Sequence, residues 1–391
     1  MPWRESSPMS EREAFIQACA DRRERIVDIC ARFGISEKTG QKWLARFRKE
    51  GLTAFVERSH APQHPRCHLA PELTARIIAL RKQHPKYGAV KLYDWLVQHE
   101  PAIRWPVPST IGSLLTRHGL VRSRRHRPRG HAALVSGRTA AGAPNDVWTA
   151  DFKGEFRLPN SGWCYPLTVL DLCSHYLLRC RALPTTSVAP TQAAFEAVFR
   201  EYGLPRVLRT DNGVPFAQPN ALGRLGALGF WWVRLGIRPE HIQPGRPAQN
   251  GAHERFHKTL KAATTQPRAA SFRAQQTRFD AFQQEYNVER PHASLPGHRP
   301  PASVYTASPR PYPTRVPPVL YPEGSEVRLV MDQGSIRWHN ALIFLSSNLA
   351  GEYVLLTETG TDLLTIQYAQ LALGELDPHT KHFTPRVRWV G

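Results

Sequence analysis

Long apolar runs are absent from this chain of 391 residues. No stretch of about 18 apolar residues occurs, so the sequence predicts no membrane-spanning helix. The opening residues Met1–Glu5 also lack the apolar segment of a secretory signal. Hydrophobic residues still make up 41% of the chain, which is enough for sizeable cores. We therefore expect a folded cytoplasmic protein of two to four domains, with no part in a membrane.

Cysteine is also uncommon, with six residues scattered along the chain. None forms a Cys-x-x-Cys pair, so the sequence favours reduced, mostly buried thiols over a disulfide framework. One cluster could hold zinc: His60, His64, Cys67 and His68. No second ligand pair stands at zinc-finger spacing, so the cluster alone is a weak signal.

Acidic residues are scarce beside basic ones, with 32 Asp and Glu against 52 Lys and Arg. Residues 1–145 hold 26 basic and 12 acidic residues, whereas the rest of the chain holds 26 and 20. A positive charge of this size favours a polyanionic partner, with nucleic acid first and an anionic membrane surface second. The front of the chain is therefore predicted to contribute most to binding the anion.

The first predicted domain, residues 11–60, has the pattern of a helix-turn-helix. Its apolar residues recur near the helical period: Ile26, Ile29, Phe33, Ile35, Trp43 and Phe47. Gly34 interrupts the pattern, and Ser36 can cap a second helix. Four polar side chains of that helix would face DNA: Lys38, Gln41, Lys42 and Arg46. The alternative is an ordinary helical hairpin with a solvated basic face.

Residues 61–121 predict a second helix-turn-helix domain. Apolar residues in two amphipathic segments are Leu73, Ile77, Leu80, Val90, Leu92, Trp95 and Leu96. Ser109 can cap a third helix, and Gly119 stands where that helix would stop. The domain is therefore predicted to be similar in size to the first.

Residues 122–145 form a basic segment that is too rich in charge, Gly, Ala and Pro to build a core. Four of its side chains are predicted to follow the phosphate backbone of DNA: Arg122, Arg124, Arg125 and Arg127. The alternative is a solvated tether that proteases can reach, and the two interpretations are compatible.

From residue 146 the pattern changes to that of an α/β domain, predicted over residues 146–308. Strands are predicted at 146–156, 163–172, 176–182, 205–210 and 230–235, and helices at 188–202 and 219–228 and from about 250 and 271. Three antiparallel strands followed by alternating helices and strands are typical of a ribonuclease H-like sheet. Residues 309–318 are rich in proline, and residues 320–391 predict a small all-β domain, a β-barrel.

Three acidic residues stand where such a sheet gathers ligands. Asp151 lies in the first strand, Asp211 ends the fourth, and Glu254 lies in the first turns of the next helix. Carboxylates that lie close together repel each other, and divalent cations relieve the repulsion. Oxygen ligands favour Mg²⁺ or Mn²⁺, and two such ions can serve an in-line displacement at phosphorus.

The helix that carries Glu254 adds two basic residues on the same face, Lys258 and Lys261. The pattern favours a metal ligand followed by two phosphate-binding lysines. Two alternatives stay open. One is an ordinary surface Glu–Lys pair, and the other is Asp171 as the true partner of the other acids, although Asp171 enters a turn.

Four segments taken together resemble the core of the DDE transposases of bacterial insertion sequences, which are relatives of retroviral integrases. They are Trp148–Asp151, Thr210–Gly213, Pro244–Arg255 and Tyr286–His292. The resemblance covers about residues 20–305 and is strongest over 146–305. One departure is the interval 212–253 between Asp211 and Glu254, which is longer than in many members of the family.

The resemblance implies that Asp151, Asp211 and Glu254 hold two Mg²⁺ or Mn²⁺ ions. It implies cleavage of double-stranded DNA at transposon ends and joining of the 3′ ends to target DNA by a homodimer or higher multimer in the bacterial nucleoid. It also implies that four further residues line the site or contact DNA: Asn250, His253, Lys258 and Arg290. The alternatives are that His253 only packs beside Glu254 and that Asn250 is only the helix cap. Two rival hypotheses are a catalytically silent DNA-binding regulator with the same fold and a nuclease that only hydrolyses.

Overall fold

The computed structural model describes residues 8–56, 69–121, 138–242, 251–358 and 362–390. The chain divides into two compact units, Met1–Ala70 and Pro71–Gly391. The sequence predicted its first domain boundary near residue 60, within a segment that lies outside the described residues. The predicted zinc cluster at residues 60–68 lies in the same segment. None of the helices in the described ranges has the length and apolar character that a bilayer crossing requires.

The front unit, Met1–Ala70, is built from helices. They are α1 (Pro8–Ala20), α2 (Ile26–Arg32) and α3 (Glu37–Glu50), followed by a short 3-10 helix at Gly51–Phe55. The Ser36 side chain accepts a hydrogen bond from the Thr39 amide at 3.3 Å, as predicted for the cap of α3. Gly34 has a φ of +63°, a left-handed conformation that favours glycine in the turn before the cap. The predicted helix-turn-helix is therefore confirmed.

The second unit begins with three helices, α4 (Pro71–Gln83), α5 (Ala89–His99) and α6 (Pro108–Arg117). Their mutual core consists of Ile77, Leu80, Leu92, Leu96, Ile111, Leu114 and Leu115. Ser109 does not cap α6, because Pro108 is already its first helical residue and Val107 precedes the helix. A proline can begin a helix without losing a hydrogen bond, since the first amides have no partner within the helix. We call α4–α6 the docked helices, because they contact the α/β domain.

The α/β domain is built on a mixed sheet. Its strands are β1 (Val147–Phe152), β2 (Phe156–Leu158), β3 (Gly162–Asp171), β4 (Leu177–Leu183), β5 (Val207–Thr210) and β6 (Arg238–His241). The order is β2-β3-β1-β5-β6, with β4 also paired to β3. Strands β1 and β4 each pair with β3 in antiparallel orientation. The pairs β1–β5 and β5–β6 are parallel. This arrangement confirms the predicted ribonuclease H-like architecture.

Helices cover both faces of this sheet. On one face lie α7 (Val188–Tyr202) and α8 (Ala227–Arg234), whose aromatic side chains pack with Trp148 of β1. On the other face lie α9 (Gly251–Thr264), α10 (Phe272–Gln284) and a π-helical turn, Glu285–Glu289. The predicted beginnings of α9 and α10, near residues 250 and 271, are confirmed.

The sequence prediction was wrong between residues 219 and 235. Residues 219–226 contain a 3-10 turn at Leu222–Arg224 and an isolated β-bridge at Leu225, and residues 230–234 of the predicted strand belong to α8. The run Phe230–Val233 is apolar because α8 is buried deeply, and a short apolar run does not by itself distinguish a buried helix from a buried strand. The strand that completes the sheet is β6, which begins further along at Arg238.

The tail is all-β, as predicted. Its strands are β7 (Glu326–Leu329), β8 (Ser335–Trp338), β9 (Ala341–Phe344), β10 (Tyr353–Glu358), β11 (Leu364–Tyr368), β12 (Leu371–Leu376) and β13 (Phe383–Trp389). Among the described strands, β13-β12-β11-β10-β7 form one open sheet and β8–β9 a separate hairpin. The tail shares its core with Leu222, Leu225, Phe230 and Val233. The long interval between Asp211 and Glu254 therefore supplies the surface that holds the tail.

Candidate active site

Two of the predicted acids lie side by side at one edge of the sheet. Strands β1 and β5 are parallel, and Ala150 pairs with Thr210. Asp151 is the penultimate residue of β1, and Asp211 directly follows β5, so both lie at the carboxyl-terminal side of neighbouring strands. Such strands lie about 4.8 Å apart. The Asp211 carboxylate also accepts a hydrogen bond from the Gly213 amide at 3.1 Å, which holds it at the start of the loop.

The third acid, Glu254, lies in the first turn of α9, and its side chain is exposed. Two histidines on either side of it in the sequence face the sheet. His253 is buried with 2% of its surface exposed, and the imidazole of His257 lies 3.9 Å from a carboxylate oxygen of Asp151. The first turns of α9 are therefore held against β1, beside Asp151.

Threonine hydroxyls fix these histidines to the sheet. The Thr168 hydroxyl oxygen, on β3, lies 2.7 Å from His253 Nε2 and 2.9 Å from His257 Nε2. The Thr149 hydroxyl, on β1, lies 3.0 Å from His253 Nδ1. The network joins α9 to two strands at the position of Asp151.

Both imidazoles are neutral at ordinary pH. Burial, with a smaller contribution from the neighbouring His257, holds the pKa of His253 well below its usual value. Burial, and then the positive charge of Lys153, lowers the pKa of His257 to about 3. Neutral rings avoid the cost of a buried charge and leave the positive charge at this edge to the lysines.

Three lysines lie close to the acids along the chain. Lys258 and Lys261 are exposed on α9, as predicted. Lys153, two residues after Asp151, was not predicted as a site residue. Its pKa is lowered by burial and then by the nearby charge of Lys261, against the opposite effect of Glu155. Lys153 and Lys261 are therefore close enough to interact, and they add positive charge beside β1 and α9.

The acids at this edge fit a divalent cation, because neighbouring carboxylates repel each other unless a cation lies between them. Among the described residues, the tight group of possible ligand atoms consists of Asp151, His253 and His257, within 4.8 Å of one another. Asp211 and Glu254 lie outside that group. Ligands of a two-ion site spread more widely than those of one ion, since the ions themselves are about 3.5–4 Å apart.

Several predicted DNA contacts have different outcomes. On α3, Lys38, Gln41 and Lys42 are exposed, as a DNA-facing surface requires. Arg46, which was predicted to face DNA, instead binds neighbouring residues of the same domain. Its guanidinium lies over the Trp43 ring, donates to the Val56 carbonyl at 3.0 Å and pairs with Glu50 at 3.4 Å. The turn after α3 binds this side chain, which leaves 17% of it exposed.

Two predictions near the sheet need correction. His253 cannot contact DNA as predicted, because it is buried and both ring nitrogens are occupied by threonine hydroxyls. Asp171, considered as an alternative metal ligand, is fully buried and accepts hydrogen bonds from the Asn145 amide and from the amide and hydroxyl of Ser174. It therefore stabilises the turn after β3.

Arg290 lies partly buried, with its guanidinium over the Tyr87 ring of the docked helices at 5.4 Å. This contact occupies one face of the side chain. Five other predicted DNA contacts lie outside the described residues: Arg122, Arg124, Arg125, Arg127 and Asn250.

Sequence reasoning missed His257, Thr168 and Lys153. A signal for His257 was present, because His253 and His257 are four residues apart and so share one face of α9. Thr168 gave no comparable signal, since its role depends on the pairing of β3 with β1, which places it opposite Asp151.

Family comparisons agree with this architecture. The integrase core domain model matches residues 141–247, and a second integrase core domain model matches residues 235–301. A helix-turn-helix domain model matches residues 11–62, and a homeodomain-like domain model matches residues 39–115. The integrase matches together span the strands and helices that carry the three acids.

Similar proteins occur in insertion elements. An uncharacterized 31.7 kDa protein of insertion element IS407 from Burkholderia multivorans is 28% identical over 57% of this chain and 77% of its own length. An uncharacterized 39.2 kDa protein of insertion element IS476 from Xanthomonas euvesicatoria is 26% identical over 71% of this chain and 84% of its own. A structure of the HTLV-2 integrase catalytic core domain with magnesium covers 43% of this chain and all of that one, at 14% identity and a TM-score of 0.34, which is too low to support an argument.

Proposed function

We propose that this chain, which belongs to the insertion-element transposases with an integrase core, cleaves double-stranded DNA at the ends of its element and joins the 3′ ends to target DNA. The observation that carries the proposal is the position of Asp151 and Asp211 at the ends of adjacent parallel strands. The first turn of α9, which contains Glu254, is held against β1 and β3 by the histidine–threonine network.

In this proposal Asp151, Asp211 and Glu254 hold two Mg²⁺ or Mn²⁺ ions. Bound ions of this kind would supply charge stabilisation for an attacking and a departing oxygen at phosphorus. The chain's own lysines would bind the negatively charged phosphates of the DNA. Lys258 and Lys261 are exposed beside the acids and can bind the phosphates on either side of the scissile one. Lys153 is partly buried directly after β1, close enough to Lys261 to be affected by its charge.

Positioning falls to the neutral groups. His253 and His257 carry no charge at ordinary pH, so they hold α9 in place without attracting the phosphate backbone away from the lysines. A carboxylate at the start of a helix also benefits from the positive end of the helix dipole. The Glu254 side chain is exposed at this helix start, where DNA and cations can reach it.

Recognition of the element's ends is assigned to the first helix-turn-helix domain. The predicted domains are residues 11–60, 61–121, 122–145, 146–308 and 320–391, in order two helix-turn-helix domains, a basic linker, the catalytic core and the all-β tail. In the first of them, Lys38, Gln41 and Lys42 present three polar side chains on one exposed helix. An amphipathic helix with such a face is the usual reader of the major groove. Bridging two DNA ends would require a homodimer or a higher multimer.

The test is cleavage of a labelled duplex that carries the end of the element, in Mg²⁺ and in Mn²⁺. Asp151→Asn and Glu254→Gln should bind this duplex as the unmodified protein does, yet neither nick nor join it, with rates reduced at least about a thousandfold. Glu155→Gln is the matched control, since Glu155 is an exposed acid four residues from Asp151. Joining that persists in Asp151→Asn would overturn the proposal. Binding without cleavage by the unmodified protein would support the silent regulator instead.

A further inference from the structure

The histidine–threonine network specifies where each proton lies. The Thr168 hydroxyl donates to the Asp151 carbonyl oxygen at 3.0 Å. A hydroxyl has one hydrogen, so Thr168 can only accept from the two imidazoles. His253 and His257 must then each carry a proton on Nε2, the atom that faces Thr168.

The remaining ring nitrogens have different surroundings. In His253, Nδ1 accepts a hydrogen bond from the Thr149 hydroxyl at 3.0 Å, so the ring is fully used. In His257, Nδ1 has a lone pair in the ring plane and lies 3.9 Å from an Asp151 carboxylate oxygen. Two electron-rich atoms that face each other repel, and a cation between them removes the repulsion.

The separation also suits a shared ion. Two ligand atoms that each lie about 2.1 Å from one ion are between about 3.0 and 4.2 Å apart, depending on the angle at the metal. The distance between His257 Nδ1 and Asp151 Oδ2 falls in this range. An imidazole whose other nitrogen is hydrogen-bonded is the usual form of a metal-binding histidine.

We infer that His257 is a further ligand of this site, with Nδ1 bound to the cation that Asp151 holds. The inference rests on the proposed function for the existence of that cation. A nitrogen ligand is a poor partner for Mg²⁺, which prefers oxygen, and a better one for transition ions. The site is therefore expected to favour Mn²⁺ over Mg²⁺.

The experiment is electron spin-echo spectroscopy of Mn²⁺ added to the full chain without DNA. Directly bound nitrogen gives a ¹⁴N modulation, which should change to the ¹⁵N pattern when the histidines are labelled. His257→Gln should abolish the modulation and weaken Mn²⁺ binding about tenfold, with less effect on Mg²⁺. His118→Gln is the control, because His118 is an exposed histidine at the end of α6.

An absent nitrogen modulation in the unmodified protein would overturn the inference, and this result does not depend on whether any variant folds. A modulation that survives in His257→Gln would also overturn it and would direct attention to His241, which is hydrogen-bonded to Thr210 beside Asp211. The proposed function fails separately. Nitrogen coordination without DNA cleavage would contradict the proposed function but support His257 as a ligand. Cleavage without nitrogen coordination would support the function and contradict His257 as a ligand.

Discussion

The two helical regions look alike in sequence but differ in what their polar side chains contact. On α3 of the front unit, Lys38, Gln41 and Lys42 are exposed. In the docked helices, Tyr87 donates to Glu285 at 3.2 Å and Asp94 pairs with His298 at 3.0 Å. A helix-turn-helix pattern therefore identifies the local fold, while the exposed residues decide whether the unit reads DNA or supports a neighbouring domain.

The largest effect expected from this difference concerns truncation. Removing residues 1–70 deletes a separate compact unit, so the remaining chain should keep its melting temperature within about 2 °C. Removing residues 1–121 also strips the docked helices, including the buried Tyr87, and should cost at least about 3 kcal/mol of unfolding free energy. Calorimetry of the two truncated chains checks both. Equal melting temperatures would show that the docked helices do not support the α/β domain.

The second prediction concerns DNA affinity. Replacing Lys38 and Lys42 with alanine should weaken binding to the element's end at least about tenfold at moderate salt. It should also reduce the slope of log affinity against log salt by about 1.8, since each lost phosphate contact contributes about 0.9. Fluorescence anisotropy at several salt concentrations measures both quantities. Lys82→Ala, at an exposed lysine of α4, is the matched change in the docked helices. An equal loss of DNA affinity per lysine there would contradict the difference between the two helical regions.

The third prediction is that the stability of the two units depends differently on pH. Burial lowers the pKa of His253 well below its usual value and lowers those of His257 and His292 to about 3. Between about pH 6.5 and 3 the unfolded chain then binds more protons, so stability is lost as pH falls, by up to about 1.4 kcal/mol per pH unit for each histidine. The front unit has no histidine before His60. Melts from pH 7 to pH 5 should therefore destabilise the second unit first, and parallel loss in both units would contradict this origin.

The smallest effect concerns one hydrogen bond of the docked helices. Tyr87→Phe removes the donor to Glu285 and should lower the free energy of unfolding by about 1 kcal/mol. Tyr353→Phe is the control, since Tyr353 is 52% exposed on the tail. Urea melts followed by fluorescence have the sensitivity that this comparison needs. An unchanged stability in Tyr87→Phe would mean that water satisfies Glu285 equally well.

Sequence reasoning succeeded where local chemistry decides the structure. The capping side chain of Ser36, the helix α7 and the starts of α9 and α10 followed from short-range patterns. The edge position of Asp151 and Asp211 followed from strand order, because parallel strands end at the same side of a sheet.

It failed where distant segments decide. The segment at 219–235 was assigned wrongly because its apolar residues serve two cores, that of the sheet and that of the tail. His253 was expected at the site or at DNA from the family resemblance, whereas the structure buries it against threonines of β1 and β3. Arg46 was assigned to DNA because the pattern of α3 alone leaves its side chain free. Its partner, the Val56 carbonyl, lies beyond the end of that helix.

The central claim is that Asp151, Asp211 and Glu254 share a pair of divalent cations. Anomalous diffraction from a crystal of the full chain soaked in Mn²⁺ tests it most directly. Two peaks about 3.5–4 Å apart are expected, with Asp151 and Asp211 oxygens within about 2.5 Å of one of them and Glu254 within the same distance of the other. Ordered carboxylates with no anomalous peak beside Asp151 would contradict the account.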